Sequence, residues 1–184
     1  NVGLVAGIGQ IREFGAEGVG LYRTEVPFLS HKRLPTEEEQ YRLYCKIVEE
    51  AAGLPVTFRT LDAGGDKPIQ ALVSSREENP FLGARSIRLC LAHPELLKTQ
   101  LNALYRAAVH GPIRVMIPMI SGVEDILKVK EILLEVWDDL RRRGVAFEGQ
   151  VPLGIMIEVP SAVQMAPVLV RHVDVDCDAG AAGG

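Results

Sequence analysis

Along the chain, short apolar runs alternate with longer stretches in which apolar residues recur every three or four positions. That alternation is the mark of strands joined by helices, an α/β order. Residues 18–23, 55–62, 113–120 and 152–158 stay largely apolar until their last positions. Strands buried on both faces read this way, so the pattern predicts parallel strands covered by helices. Residues 83–88 form a weaker candidate strand.

Between these runs the helix signals are local and specific. Thr36, three residues before Glu39, forms a capping-box pattern. Tyr41, Tyr44, Cys45 and Val48 then share one face of the helix it starts. Pro94 suits a first helical turn, and Leu97, Leu101, Leu104, Tyr105 and Ala108 follow at helical spacing until Gly111. A long helix is expected over 123–143, with Ile126, Leu133, Trp137 and Leu140 inward. Its end, Arg141-Arg142-Arg143 before Gly144, suits cations at a helix C-terminus followed by a left-handed cap. Pro167 is expected to interrupt the helix after Glu158. No GxGxxG turn opens a helix, which leaves a (β/α) barrel and an open doubly wound sheet as the choices. The small residues that close the chain at 179–184 offer nothing to bury, so the end is expected to fray.

Composition narrows the function classes. The 184 residues carry a net charge of -4 and only 5% aromatics, which argues against a nucleic-acid surface and leaves room for a local arginine cluster that binds a small anion. No apolar run approaches the roughly 20 residues of a membrane span, and no secretory leader pattern opens the chain, so it is expected to be cytoplasmic. Three separated cysteines without CxxC spacing imply neither disulfides nor zinc, and Cys45 and Cys90 are expected to be buried thiols.

The polar residues that stand out are at the ends of the expected strands: Arg23, Arg59, Arg85 and Glu158. Strand C-termini are where parallel α/β folds bind ligands, because they hold side chains rigidly under enclosing loops. Guanidinium forks match phosphate oxygens, and a carboxylate suits a hard cation. A lone arginine is more often a surface ion pair, but recurrence on successive strand ends weakens that reading. The loop Gly64-Gly65-Asp66-Lys67 can present backbone N–H groups and an ammonium charge, although paired glycines alone indicate only a turn.

These segments carry a resemblance. Gly18-Val-Gly-Leu-Tyr-Arg-Thr-Glu25, Arg59-Thr-Leu-Asp-Ala-Gly-Gly-Asp-Lys67, Glu78-Asn-Pro-Phe-Leu-Gly-Ala-Arg85, Arg114-Val-Met-Ile-Pro-Met-Ile-Ser121 and Gly154-Ile-Met-Ile-Glu-Val-Pro160 resemble, in order and spacing, the motifs of Enzyme I-type phosphoenolpyruvate–protein phosphotransferases. Glu25-Val-Pro-Phe and Pro118-Met-Ile-Ser-Gly122 are most similar to the nitrogen-regulatory branch, as against the sugar-transport branch. The resemblance implies a (β/α)₈ TIM-type barrel of which residues 1–174 form the first five or six units, with 175–184 a divergent tail. It implies transfer of the phosphoryl group of phosphoenolpyruvate to a histidine of a domain preceding residue 1, and then to an HPr-like phosphocarrier protein. Arg23 and Arg59 would be the catalytic, phosphate-binding arginines, Arg85 and Lys67 further substrate contacts, and Glu158 a Mg2+ ligand. Alanine at Arg23 or Arg59 is expected to abolish transfer with modest effect on folding.

The chain departs from the family pattern after Asp174. The Gly-Thr-Asn-Asp or Gly-Ser-Asn-Asp motif that supplies a second metal carboxylate is replaced by Val175-Asp-Cys-Asp178, and the family's proton-donating cysteine is absent, Cys177 lying too early for it. His31, His93, His110 and His172 lie in no motif resembling the phosphorylated histidine and are expected to be surface or structural. The isolated chain is therefore expected to be inactive. The alternative is a non-catalytic, truncated product stabilised by self-association through open sheet edges, and a homo-oligomer is expected. A carbon–carbon lyase barrel with acidic magnesium ligands is a weaker third reading, against which the arginine motifs and the Gly-Gly-Asp-Lys loop argue.

Overall fold

A computed structural model describes residues 1–3, 5–9, 15–26, 28, 33–63 and 85–178, with the backbone alone at Ala6 and 175–178. Five strands form one parallel sheet: β1 (Val19–Arg23), β2 (Val56–Arg59), β3 (Ile113–Ile117), β4 (Leu153–Ile157) and β5 (Val175–Asp178). The helices are α1 (Glu37–Glu50), α2 (Ile87–Ala92), α3 (Pro94–Ala107), α4 (Val123–Arg142) and α5 (Pro160–Leu169). The strands lie side by side in chain order, β1-β2-β3-β4-β5. Parallel strands in unbroken order, joined by crossovers of the usual right hand, put the helices on one face, and α1 packs on α3 and α3 on α4. A doubly wound sheet would reverse its order part-way, so the open choice falls to the barrel, here as an incomplete arc.

Alternation along the strands divides the residues between two faces. Phe58, Val115 and Ile155 join the main core under the helices. Leu21, Met116 and Met156 form a separate cluster on the other face, the concave interior of the arc. Arg59 shares that face, one strand position beyond Phe58.

Local chemistry sets the element boundaries. Thr36 Oγ1 accepts the Glu39 N–H at 3.3 Å and Glu39 Oε2 accepts the Thr36 N–H at 2.9 Å, closing the expected capping box, an arrangement that contributes about 1 kcal/mol. At Gly18 a Cβ would lie 2.7 Å from the Pro55 carbonyl oxygen, so only glycine lets β1 start this close to β2. Gly144 takes the left-handed cap after α4, φ 63°. Of the three preceding arginines, Arg141 and Arg142 pair within their own helix, while Arg143 reaches across to Glu37 on α1 at 2.7 Å.

Four expectations need correction. Residues 85–88 are not a continuous strand: Arg85 makes a single β-bridge, Ser86 turns with φ 49°, its N–H donating to the Ala63 carbonyl, and α2 begins at Ile87, while 83 and 84 lie outside the described residues. Helix α5 runs through Pro167. The carbonyl deprived of its partner belongs to Val163, 61% exposed, where water can serve instead. Residues 175–178 are not a tail but β5, paired in parallel with β4, since ladder bonds need only backbone groups. Asp174 starts this strand by accepting the Leu153 N–H at 2.9 Å. Cys90 is buried as expected, but Cys45 is only half-buried.

The outer edge of β1 is occupied. Val2 makes a parallel bridge with Tyr22, its N–H bonding Leu21 O at 2.8 Å and its carbonyl accepting from Arg23 N at 2.9 Å.

Candidate functional site

Arg59, the last residue of β2, is 8% exposed and sits between two buried carboxylates. Its Nη2 donates to Glu25 Oε1, just beyond β1, and its Nη1 lies 3.1 Å from Asp62 Oδ2. Asp62 also accepts the Ser86 hydroxyl and faces Arg85 Nε at 3.7 Å. Two cations and two carboxylates thus form one compensated chain. Burying any of them singly would cost several kcal/mol, roughly, so each holds the others in place. The Nε–H of Arg59 is buried without an acceptor among the described residues.

Arg23 stands beside Arg59 in the sheet register, at the end of β1. Its guanidinium lies against Gly3, where a Cβ would be 3.2 Å from Nη2, and it has no ion pair among the described residues. Among the described residues Arg59 and Arg85 are balanced by Glu25 and Asp62, whereas Arg23 has no ion-pair partner.

Glu158 follows β4, and its Oε1 accepts the Met119 N–H at 2.7 Å. Met119 itself has φ 59°, a left-handed backbone uncommon outside glycine. A cavity of about 290 Å³ lies alongside, lined by Arg85, Arg88, Met119, Ser121, Val159 and Ser161. Arg85 therefore faces the same hollow as the two loops that flank Glu158. Arg85 reaches it from the turn before α2, not from a strand end. Lys67 and the Gly64–Gly65–Asp66 part of its loop lie outside the described residues. A roomier and more apolar cavity of about 650 Å³ lies at the opposite ends of the strands, lined by Tyr105, Leu133, Trp137 and Pro152. It lacks convergent cations, so it is not where a phosphate would bind.

Several residues of this site escaped sequence reasoning. Glu25 and Asp62 were visible at strand ends, but their role as buried partners of Arg59 depends on the fold. Gln100 gave one signal, a polar side chain on the apolar face shared by Leu97, Leu101 and Leu104. It is 1% exposed, and its Oε1 accepts the Leu61 N–H at 2.8 Å.

Residues 1–176 match the family model described as the PEP-binding domain of PEP-utilising enzymes. The chain belongs to that family. Curated relatives include proteins named phosphoenolpyruvate-protein phosphotransferase from Staphylococcus epidermidis, 42% identical over 174 residues, and Priestia megaterium, 44% identical over 174 residues. Each alignment covers 95% of this chain and 30% of the relative. A third, from Geobacillus stearothermophilus, is 46% identical over 160 residues, 87% of this chain and 28% of the relative. The chain thus spans less than a third of the length of these relatives. This PEP-binding family assignment agrees with the incomplete TIM-type arc.

Among the described residues no group of three or more acidic, histidine or cysteine side chains could enclose a metal by itself. Magnesium does not require such a cage. It is commonly held by one or two carboxylates together with substrate phosphate and water. Glu158 has one oxygen engaged by Met119, and its other oxygen has no hydrogen bond or ion pair among the described residues. That donor fits a hard cation carried largely by its substrate. The side chains of Asp176 and Asp178 lie outside the described residues.

Proposed function

We propose that the chain is the phosphoenolpyruvate-holding segment of a phosphoenolpyruvate–protein phosphotransferase. The observation that carries this reading is Arg59, buried and oriented by Glu25 and Asp62 at the concave end of β2, with Arg23 beside it and Arg85 on the same carboxylate. Pre-oriented guanidinium groups stabilise charge on the non-bridging oxygens of a phosphoryl group in transit without reorganising at that moment. Arg59 and Arg23 would make the main phosphate contacts, with Arg85, and Lys67 from its loop, completing the basic lining.

Glu158 would offer its free oxygen to Mg2+. When bound, the ion supplies neutralisation of phosphate and carboxylate charge. Electrostatics favour such an ion, since among the described residues Arg59 and Arg85 are already balanced by Glu25 and Asp62 while the substrate brings several negative charges. The phosphoryl acceptor would be a histidine elsewhere in the full protein, and an HPr-like phosphocarrier would take the group onward, for sugar transport or nitrogen regulation. A cytoplasmic location fits this role, and no described helix is long and apolar enough to cross a membrane. Apolar side chains exposed on α4 and α5, Leu134 and Val163 at 57% and 61%, favour a homo-oligomeric or otherwise covered state.

The direct test is titration of the chain with phosphoenolpyruvate and Mg2+ by calorimetry. Binding is expected around the millimolar range, about -4 kcal/mol, displaced by inorganic phosphate and lost in Arg23→Ala. Absence of saturable binding would reject the reading.

A further inference from the structure

The segment that carries Arg59 leaves the sheet almost at once. Its last ladder bond is from Thr60 N–H to Met116 O at 2.9 Å. The next backbone donor, Leu61 N–H, is buried and is satisfied by a side chain from the outer helix layer, Gln100 of α3. The same carboxamide donates through Nε2 to Thr24 Oγ1 and to Tyr44 OH, both at 3.0 Å. Thr24 in turn donates to the carbonyl of Arg59 at 2.8 Å. Tyr44 donates to Gln40 Oε1 at 3.0 Å, and Gln40 to the Pro35 carbonyl at 3.1 Å.

The direction of this network is determined. Leu61 N–H can only donate, so the Gln100 oxygen must face it and the NH₂ group must face the two hydroxyls. Both Gln100 N–H donors are then used, and each hydroxyl accepts one bond and donates one. Two arms result. One, through Thr24 and Leu61, grips the backbone on either side of Thr60, immediately next to Arg59. The other, through Tyr44 and Gln40, ends at Pro35 before α1 and makes no hydrogen bond to the Arg59–Asp62 backbone.

We propose that Gln100 is a positioning residue for the arginine site: through Thr24 and Leu61 it holds the backbone from which Arg59 and Asp62 project. This rests on the reading of those strand ends as a phosphate site. Misplacing an orienting group by a fraction of a bond length weakens every contact it aims, whereas the outer arm contributes stability alone.

The network contains its own control. In the full-length parent protein, Gln100→Met keeps the volume and removes all three bonds, Thr24→Val removes the inner arm's link to the Arg59 carbonyl while leaving the Leu61 bond, and Tyr44→Phe removes the outer arm. All three should melt earlier than wild type, because each leaves buried polar groups unmatched. Phosphoryl transfer from labelled phosphoenolpyruvate should fall roughly 10- to 100-fold in Gln100→Met and Thr24→Val and stay within about twofold in Tyr44→Phe. The Leu61 amide should lose hydrogen-exchange protection in Gln100→Met and keep it in Tyr44→Phe. Should Gln100→Met not fold, Thr24→Val against Tyr44→Phe decides alone. Equal loss of transfer in Tyr44→Phe and Thr24→Val, or wild-type rates in Thr24→Val or in a folded Gln100→Met, would overturn the proposal. A wild-type protein without transfer would instead overturn the reading of the site, so the two failures are distinguishable.

Discussion

Glu158 and Met119 are joined by one hydrogen bond of 2.7 Å, from the Met119 N–H to Glu158 Oε1, across the loops that end β3 and β4. Met119 presents that N–H from a left-handed backbone, φ 59°. A non-glycine residue held there costs about 1 kcal/mol, so the turn is maintained by what surrounds it, this bond included. The other carboxylate oxygen of Glu158 has no hydrogen bond or ion pair among the described residues.

Glu158→Gln can keep the acceptor for Met119 while removing the charge. It should melt within about 1 kcal/mol of wild type, whereas Glu158→Ala should lose both stability and function. In the full-length protein, Glu158→Gln should require much more magnesium or fail to turn over. Unchanged magnesium dependence, measured by titrating the metal against transfer rate, would remove Glu158 from the metal site.

Arg23 and Arg59 should separate sharply in their effects on folding. Arg23→Ala should change stability by no more than about 0.5 kcal/mol, since it removes no ion pair among the described residues. Arg59→Ala should cost about 3–5 kcal/mol, because it leaves Glu25 and Asp62 buried with an unpaired charge. The modest folding effect expected from sequence is therefore predicted for Arg23 and not for Arg59. Chemical denaturation of the two variants checks this, and equal midpoints would contradict the buried clamp.

A pH dependence follows from Glu37 at the start of α1. Burial works to raise its pKa, but hydrogen bonds and charge from Arg143 and Arg106 outweigh that and hold it below the ordinary 4.5. A depressed folded-state pKa means that its contribution is present above 4.5 and lost as pH falls through the lower folded value. Glu37→Gln should be less stable than wild type at neutral pH by about 1 kcal/mol or less. The gap should narrow in acid melts. A gap that stays constant would show that the Arg106 and Arg143 contacts are not electrostatic in origin.

Thiol reactivity should sort the cysteines by burial. Burial pushes the Cys90 thiol up to about 12, so almost none is thiolate near neutrality. Cys45 is half-buried and beside Tyr41, and should be alkylated first. Mass mapping after brief alkylation should find Cys90 modified only under denaturing conditions. Equal native rates would mean that α2 does not hold Cys90 against the core.

The chain should take no acid-labile phosphate on its described histidines. His93 lies between α2 and α3, His172 precedes β5, and His110 Nε2 sits 3.0 Å from Tyr41 OH on the outer layer. Stoichiometric label on any of them, after incubation with labelled phosphoenolpyruvate and Mg2+, would identify a true acceptor there.

Much of this architecture was legible before the fold. Four strands and the long helices followed from periodicity, and the α1 start from its capping box, because these features depend on residues close in the chain. The failures share a cause as well. Residues 83–88 read as a strand, but in the described part Arg85 makes one bridge and the chain then turns at Ser86, φ 49°, into α2. Val175–Asp178 read as the start of a divergent tail, yet β4 offered it a free backbone edge. Pro167 read as a break, but the carbonyl it strands faces solvent.

By itself the sequence determined the alternation of strands and helices, and it marked Arg23, Arg59, Arg85 and Glu158 as candidates by their place at or near strand ends. Those properties are local, set by side-chain spacing and backbone preference. The tertiary structure decided that the sheet keeps chain order and curves as an arc, that Arg59 is clamped by Glu25 and Asp62, and that Gln100 reaches Leu61 across 39 residues. Such relationships depend on which surfaces meet when helices pack on the sheet. A carboxamide in the middle of an apolar helix face becomes part of a site only once the strand end it must satisfy has been folded against it.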